Sequence, residues 1–215
     1  MLATFPFFAL AAAVLILGYA WWSQPPRRAR RALRGKPLAA IAEIRHGDWA
    51  KVTGVVSPLT PLLTSPVREE ECIGFRLDVE RVDGSAPLVF KREACGAFAI
   101  ADDTGMVRVE GPFLLGLAAD GDFSVMRPRL LELLEAAGAP HLGLASYRGF
   151  AFREALLRPG DRVTVFGLTF REPDPTEYGV RSSPLVLRMR GSTRQPVVVA
   201  AADQPQALMI TAGPT

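Results

Sequence analysis

The chain has 215 residues, 49% of them hydrophobic and 22% charged, with 25 Lys and Arg against 22 Asp and Glu. Six of the basic residues lie between positions 27 and 36, ahead of every acidic one, so residues 37–215 carry 19 basic against 22 acidic groups, a net of −3. That balance argues against nucleic acid as a partner, which calls for a basic face and aromatic stacking platforms, and leaves length for one domain with its own core.

Residues 2–22 read LATFPFFALAAAVLILGYAWW, without a charge. As a helix they reach roughly 30 Å, the thickness of a bilayer's hydrocarbon core, which predicts a transmembrane helix over 1–23. Trp21 and Trp22 suit the headgroup level. A cleaved signal peptide carries its positive charge before the apolar run, and here the order is reversed. The linker 24–36 presents Arg27, Arg28, Arg30, Arg31, Arg34 and Lys36. Such a collar stays on the cytoplasmic side, which predicts a single-pass inner-membrane protein, N-terminus out and domain in the cytoplasm. The collar's natural partner is a bilayer with anionic headgroups, where each cation contributes about 1 kcal/mol.

The domain, 37–195, opens on PLAAIAEIRHGDW (37–49), a predicted short helix ending near Gly47 with Leu38, Ile41 and Ile44 three apart. KVTGVVS (51–57) predicts the first strand, and three prolines then break the chain into a loop. CIGFRLDVERV (72–82) alternates as a half-buried strand, Cys72, Gly74, Arg76, Asp78 and Glu80 on one side. A turn at Asp83-Gly84 leads to PLVFKREACGAFAIA, which holds two more strand signals. AFAIA-DDTG-MVRVE is the clearest hairpin of the chain. RPRLLELLEAAG (127–138) has helical period and a Gly stop, and a further helical turn is expected at 152–157.

RVTVFGLTF (162–170) and PLVLRMR (184–190) then predict a pair of strands, and the C-terminal segment 196–215 an edge strand at Val197–Ala200 before a tail. The pattern predicts a mainly β fold: an N-terminal transmembrane helix plus a small barrel of the oligonucleotide/oligosaccharide-binding kind, or a sandwich, with an inserted helix.

Catalytic signatures are missing. Asp103-Thr104-Gly105 matches the aspartic-protease tripeptide, but that chemistry needs two carboxylates sharing a proton, and a hairpin turn accounts for these residues. Ser65, Ser146 and Ser182 lack a nucleophile elbow. Cys72 and Cys95 fit no metal-finger spacing and read as core thiols. His46 and His141 read as cap or loop residues, and Glu154 as a member of an ion pair with Arg148 and Arg153. No cofactor and no metal are expected.

Several stretches together, GDWAKVTGVV, PLTSPV followed by CIGFRLDVE, FAIADDTGMVRVEG and FREALLRPGDRVTVFG, resemble the GIDE or "beside a membrane" domain. That domain occurs in mitochondrial membrane-anchored ubiquitin ligases and in uncharacterised prokaryotic membrane proteins. The resemblance covers roughly 40–170. It rests on Ser65, Pro66 and Cys72, on the turn Asp102, Asp103, Gly105, and on Glu154 with Pro159, Gly160 and Asp161, which it implies are structural. The ligases carry a second span and a RING module, which this chain lacks, so ligase activity is not carried over. What the resemblance implies is a non-enzymatic domain that binds or scaffolds a protein partner at the membrane surface. The alternative is an enzyme or small-ligand-binding barrel with residues 113–160 as a lid.

Overall fold

A computed structural model of the protein describes residues 29, 32–81, 90–119, 122–123, 132, 135, 150–173 and 185–202. They form a mainly β domain. In chain order its strands are β1 (Trp49–Pro58), β2 (Leu63–Thr64), β3 (Glu71–Cys72), β4 (Gly74–Arg81), β5 (Phe90–Cys95), β6 (Phe98–Asp102) and β7 (Gly105–Glu110). There follow β8 (Phe113–Leu115), β9 (Asp122–Phe123), β10 (Phe150–Leu157), β11 (Arg162–Pro173), β12 (Leu185–Arg190) and β13 (Val197–Ala201).

Five strands close into a ring in the order β1-β6-β7-β12-β11, since β11 also pairs with β1. Every pairing in the ring is antiparallel except β7 with β12. Alternating apolar residues turn one face of each strand inward: Val52 and Val56 of β1, Phe98 and Ile100 of β6, Val107 and Val109 of β7, Val163 and Val165 of β11, Leu187 and Met189 of β12. Burying each such side chain contributes about 1.5–3 kcal/mol, so the alternation dictates the register.

Closure needs β1 to serve two partners. Its residues 49–55 pair with β11 and 55–58 with β6. Gly54 sits at the changeover, where a Cβ would lie 2.2 Å from the Ala101 carbonyl oxygen. Only glycine lets the two backbones come that close. Beyond the ring, β13 pairs with β11 and β8 with β13, extending the wall.

A second sheet, β5-β4-β10-β9, lies against the barrel. Ile73, Ala155 and Leu157 join the barrel core, while Cys72, Phe75 and Leu156 form a small cluster of their own. The two sheets are joined at Leu115: its N–H donates to Glu93 Oε1 at 2.9 Å, and its carbonyl accepts Arg76 Nη1 at 2.7 Å.

Four expectations are corrected. Residues 37–48 hold only one 3-10 turn, Ile41–Glu43, because the chain returns to extended backbone at Ile44 (φ −72°, ψ 130°), where that side chain enters the core. Ile41 and Ile44 are buried as the spacing predicts, but Leu38 is 61% exposed. The turn expected at 152–157 is strand β10, whose residues all pair with β4; sheet context overrides helix propensity. Within the strand expected over 72–82, residues 72–77 are covered on both faces, Cys72 and Arg76 being buried along with Phe75. Val197–Ala200 is no edge strand, for β13 runs between β11 and β8.

The helix expected over 1–23, with Trp21, Trp22, Arg27, Arg28, Arg30 and Arg31, lies outside the described residues, as do Asp83-Gly84, His141, Ser146, Arg148, Ser182, the tail beyond 202 and most of 127–138. Among the described residues no helix is long and apolar enough to cross a membrane.

Candidate functional site

The motif residues gather at two places on the barrel. The first is the loop between β2 and β3. Ser65 is fully buried; its Oγ accepts the Glu70 N–H at 3.2 Å and its N–H donates to the Glu70 carbonyl at 2.9 Å. Pro66, also buried, starts the turn. From β10, Glu154 enters this loop with no exposure, its Oε1 accepting the Val67 N–H at 3.0 Å and its Oε2 the Arg68 N–H at 3.1 Å. A buried carboxylate is tolerable when backbone donors face both oxygens. Glu154 thus holds a loop; Arg148, a member of the expected ion pair, lies outside the described residues.

Cys72 lies beside this clasp. Burial, and then the nearby Glu154 charge, pushes its thiol up to about 11, while burial pushes Cys95 up to about 12. Both are protonated at neutral pH, which leaves little of the nucleophilic thiolate.

Arg158 ties the loop to the next motif. Its Nε and Nη2 donate to Glu70 Oε2 at 3.1 and 2.8 Å, which holds the Glu70 carboxyl below its usual range. Its own N–H reaches Asp161 Oδ2 at 2.7 Å across the turn at Pro159 and Gly160. That turn is pinned to β1, with Val56 N–H on the Asp161 carbonyl at 3.0 Å and Gly160 N–H on the Val56 carbonyl at 2.9 Å. Ser65, Pro66, Cys72, Glu154 and Asp161 therefore belong to one connected cluster.

The second place is the β6–β7 turn. Asp102 Oδ1 accepts the N–H groups of Thr104 (2.7 Å) and Gly105 (3.0 Å) and the Thr104 hydroxyl (2.6 Å). Its Oδ2 takes the Ile41 N–H at 3.0 Å, and Thr104 Oγ1 takes that of Ala42 at 3.2 Å. Partial burial pushes the Asp102 carboxyl up, but these hydrogen bonds outweigh it and hold the group below the usual aspartate range. Asp103 stays exposed. The turn that matches a protease tripeptide thus works as a cap that fixes the chain entering the barrel. His46 is a loop residue: its Nδ1 accepts the Arg171 N–H at 3.1 Å.

A third feature, which no motif marked, is an open groove of about 510 Å³ beside the end of the basic linker. Its floor is one outward row across four strands, Lys51 of β1 opposite Phe166 of β11, then Val198 of β13, then Leu114 of β8. Trp49 leans on Phe166 with ring centroids 5.4 Å apart, and Lys36 Nζ lies 5.9 Å from the centre of the Phe166 ring. Arg194 also lines the groove. Alternation places Lys51, Phe166, Val198 and Leu114 outward, but only the strand register brings these four together.

The linker's end is fixed here as well. Ala29 is wholly buried, so close to Gly116 that a Cβ on that glycine would lie 2.4 Å from the Ala29 methyl. Lys51 Nζ donates to the carbonyls of Leu33 (3.3 Å) and Lys36 (3.2 Å).

Among the described residues no group of three or more His, Cys, Asp or Glu side chains is arranged to hold a metal ion. Compared with protein-family models, curated proteins and solved structures, the chain matches none.

Proposed function

We propose that the protein is a non-catalytic scaffold at the membrane surface: an N-terminal anchor spanning 1–23 holds a barrel of the beside-a-membrane kind on the cytoplasmic face, one wall turned to the bilayer and the others presented to a protein partner. The observation that carries this reading is the seat of Ala29 on Gly116. Trp22 and Ala29 are seven positions apart, and a chain of that length reaches at most about 25 Å. A span ending at Trp22 therefore keeps the β8–β13 wall close to the headgroups. The five-strand ring with one parallel pairing supports the oligonucleotide/oligosaccharide-binding-like barrel over a sandwich. The polar motif residues Ser65, Asp102, Glu154 and Asp161 all bond to backbone groups, which supports a structural role for them.

The test has two parts. The chain is expected to stay with the membrane pellet through alkaline carbonate extraction, and a C-terminal reporter that works only in the cytoplasm is expected to be active. Release by carbonate, or a periplasmic signal, refutes the anchored reading. Site-specific crosslinking from exposed barrel positions in membranes is expected to give one reproducible protein adduct. Hydrolytic turnover by the purified full chain, with no such adduct, refutes the scaffold.

A further inference from the structure

Several cations of the barrel surface are paired with carboxylates. Arg188 and Arg190 bond to Glu110 at 3.0 and 2.9 Å, Arg190 also reaches Glu172 at 2.7 Å, and Arg158 holds Glu70. The groove is different. None of its lining residues is acidic, and among the described residues neither the Lys36 ammonium nor the Arg194 guanidinium has a carboxylate partner. Two cations without a carboxylate partner among the described residues thus line the groove together with the apolar and aromatic side chains of Trp49, Phe166, Leu114 and Val198. Trp49 is 44% exposed there, at a place where burying it would favour an amphiphilic occupant.

An occupant complementary to this surface has an anion at one end and an apolar body at the other. The chain itself indicates the source. Ala32 and Lys36, at the end of the basic linker, line the groove, and Ala29 is fixed to the same wall at Gly116. Resting on the anchored reading above, we propose that the groove takes the headgroup of an anionic phospholipid from the bilayer. Its phosphate lies between Lys36 and Arg194, and its glycerol and first acyl carbons lie on Trp49 and Phe166. The collar then supplies non-specific attraction, while the groove supplies an oriented site, so that the barrel meets anionic membrane in one pose.

The experiment uses the full chain in nanodiscs of phosphatidylcholine with or without phosphatidylglycerol, and a phosphatidylglycerol photoreactive near its headgroup as probe. Peptides containing Trp49, Phe166 and residues 194–198 are expected to carry label. The double variant Lys36→Gln, Arg194→Gln is expected to lower that label by about tenfold or more, the scale two interfacial cations supply, with the label on 24–34 and the thermal melt unchanged. Three results overturn the proposal: groove label that survives the double substitution, equal label from photoreactive phosphatidylcholine, or loss of label to inorganic phosphate, which assigns the site to a soluble anion. Carbonate release of the chain would sink the anchored reading on its own. Co-sedimentation of wild type and double variant with phosphatidylglycerol vesicles then decides the groove separately, equal binding of the two overturning it.

Discussion

The Glu154 carboxylate accepts the Val67 N–H at 3.0 Å from a side chain with no solvent exposure, and its second oxygen takes the Arg68 N–H. One charge on β10 thereby fixes a loop 87 residues away in the chain. Glu154→Leu leaves both donors without acceptor and is expected to destabilise the domain by about 3 kcal/mol, with Glu154→Gln costing about half that because one carbonyl oxygen remains. Urea midpoints at constant slope measure both. Equal midpoints for wild type and Glu154→Leu would show that the clasp contributes nothing.

Asp102 has its pKa lowered in the folded state. The sign for an acid so shifted is that its stabilisation is present above the unfolded value, about 3.9, and is lost as the pH falls through the folded one. Asp102→Asn is therefore expected to be less stable than wild type at neutral pH, with the difference shrinking towards zero below about pH 4. A difference that stays constant across that range rules out the carboxylate charge as its origin.

Gly116→Val puts methyl groups where the Ala29 methyl sits. The linker is expected to leave its seat while the barrel stays folded. Trypsin then cuts within 27–36 several-fold faster, and the thermal melt falls by no more than about 4 °C, the equivalent of roughly 1 kcal/mol in a domain of this size. Unchanged cleavage would mean that Ala29 is held by something other than this contact.

With thiols pushed up to about 11 and about 12 by burial, Cys72 and Cys95 are expected to resist iodoacetamide at pH 8 in the native protein and to react in full once urea unfolds it. Mass spectrometry counts the adducts. Fast native labelling of either cysteine contradicts the burial assigned to it.

Gly54→Val forces side-chain atoms into the Ala101 carbonyl. Because β1 has to serve β11 and β6 at that point, the expected cost is at least about 3 kcal/mol, enough to lower the soluble yield sharply. A normal melt for this variant would argue that the ring does not close as described.

Strand positions were legible where one face alone is buried. KVTGVVS and RVTVFGLTF alternate because water lies on one side and core on the other, and the hairpin through Asp102–Gly105 carries its own turn chemistry. The reading failed where tertiary contacts decide. FREALL has the composition of a helix but lies between β4 and β9, and PLAAIAE stops after one turn because Ile44 is drawn into the core on extended backbone. The motif residues were visible singly, whereas their union through Arg158 and Glu70 depends on a fold that brings positions 70 and 158 together. The groove was least legible, since Lys36, Trp49, Phe166 and Arg194 share no motif and meet only where the linker and the β12–β13 loop pass over the same wall.

The meeting of the two sheets at Leu115 also bears on self-association. β8 is the terminal strand of the barrel wall, and a terminal strand normally offers unpaired N–H and C=O groups on which another chain can add a rung. Here Glu93 occupies the donor of Leu115 and Arg76 its acceptor. Chains crowded side by side on a two-dimensional surface would meet at such edges far more often than in free solution. At β8 they would find both backbone groups of Leu115 already taken, which shortens the ladder that a neighbouring chain could build on that edge.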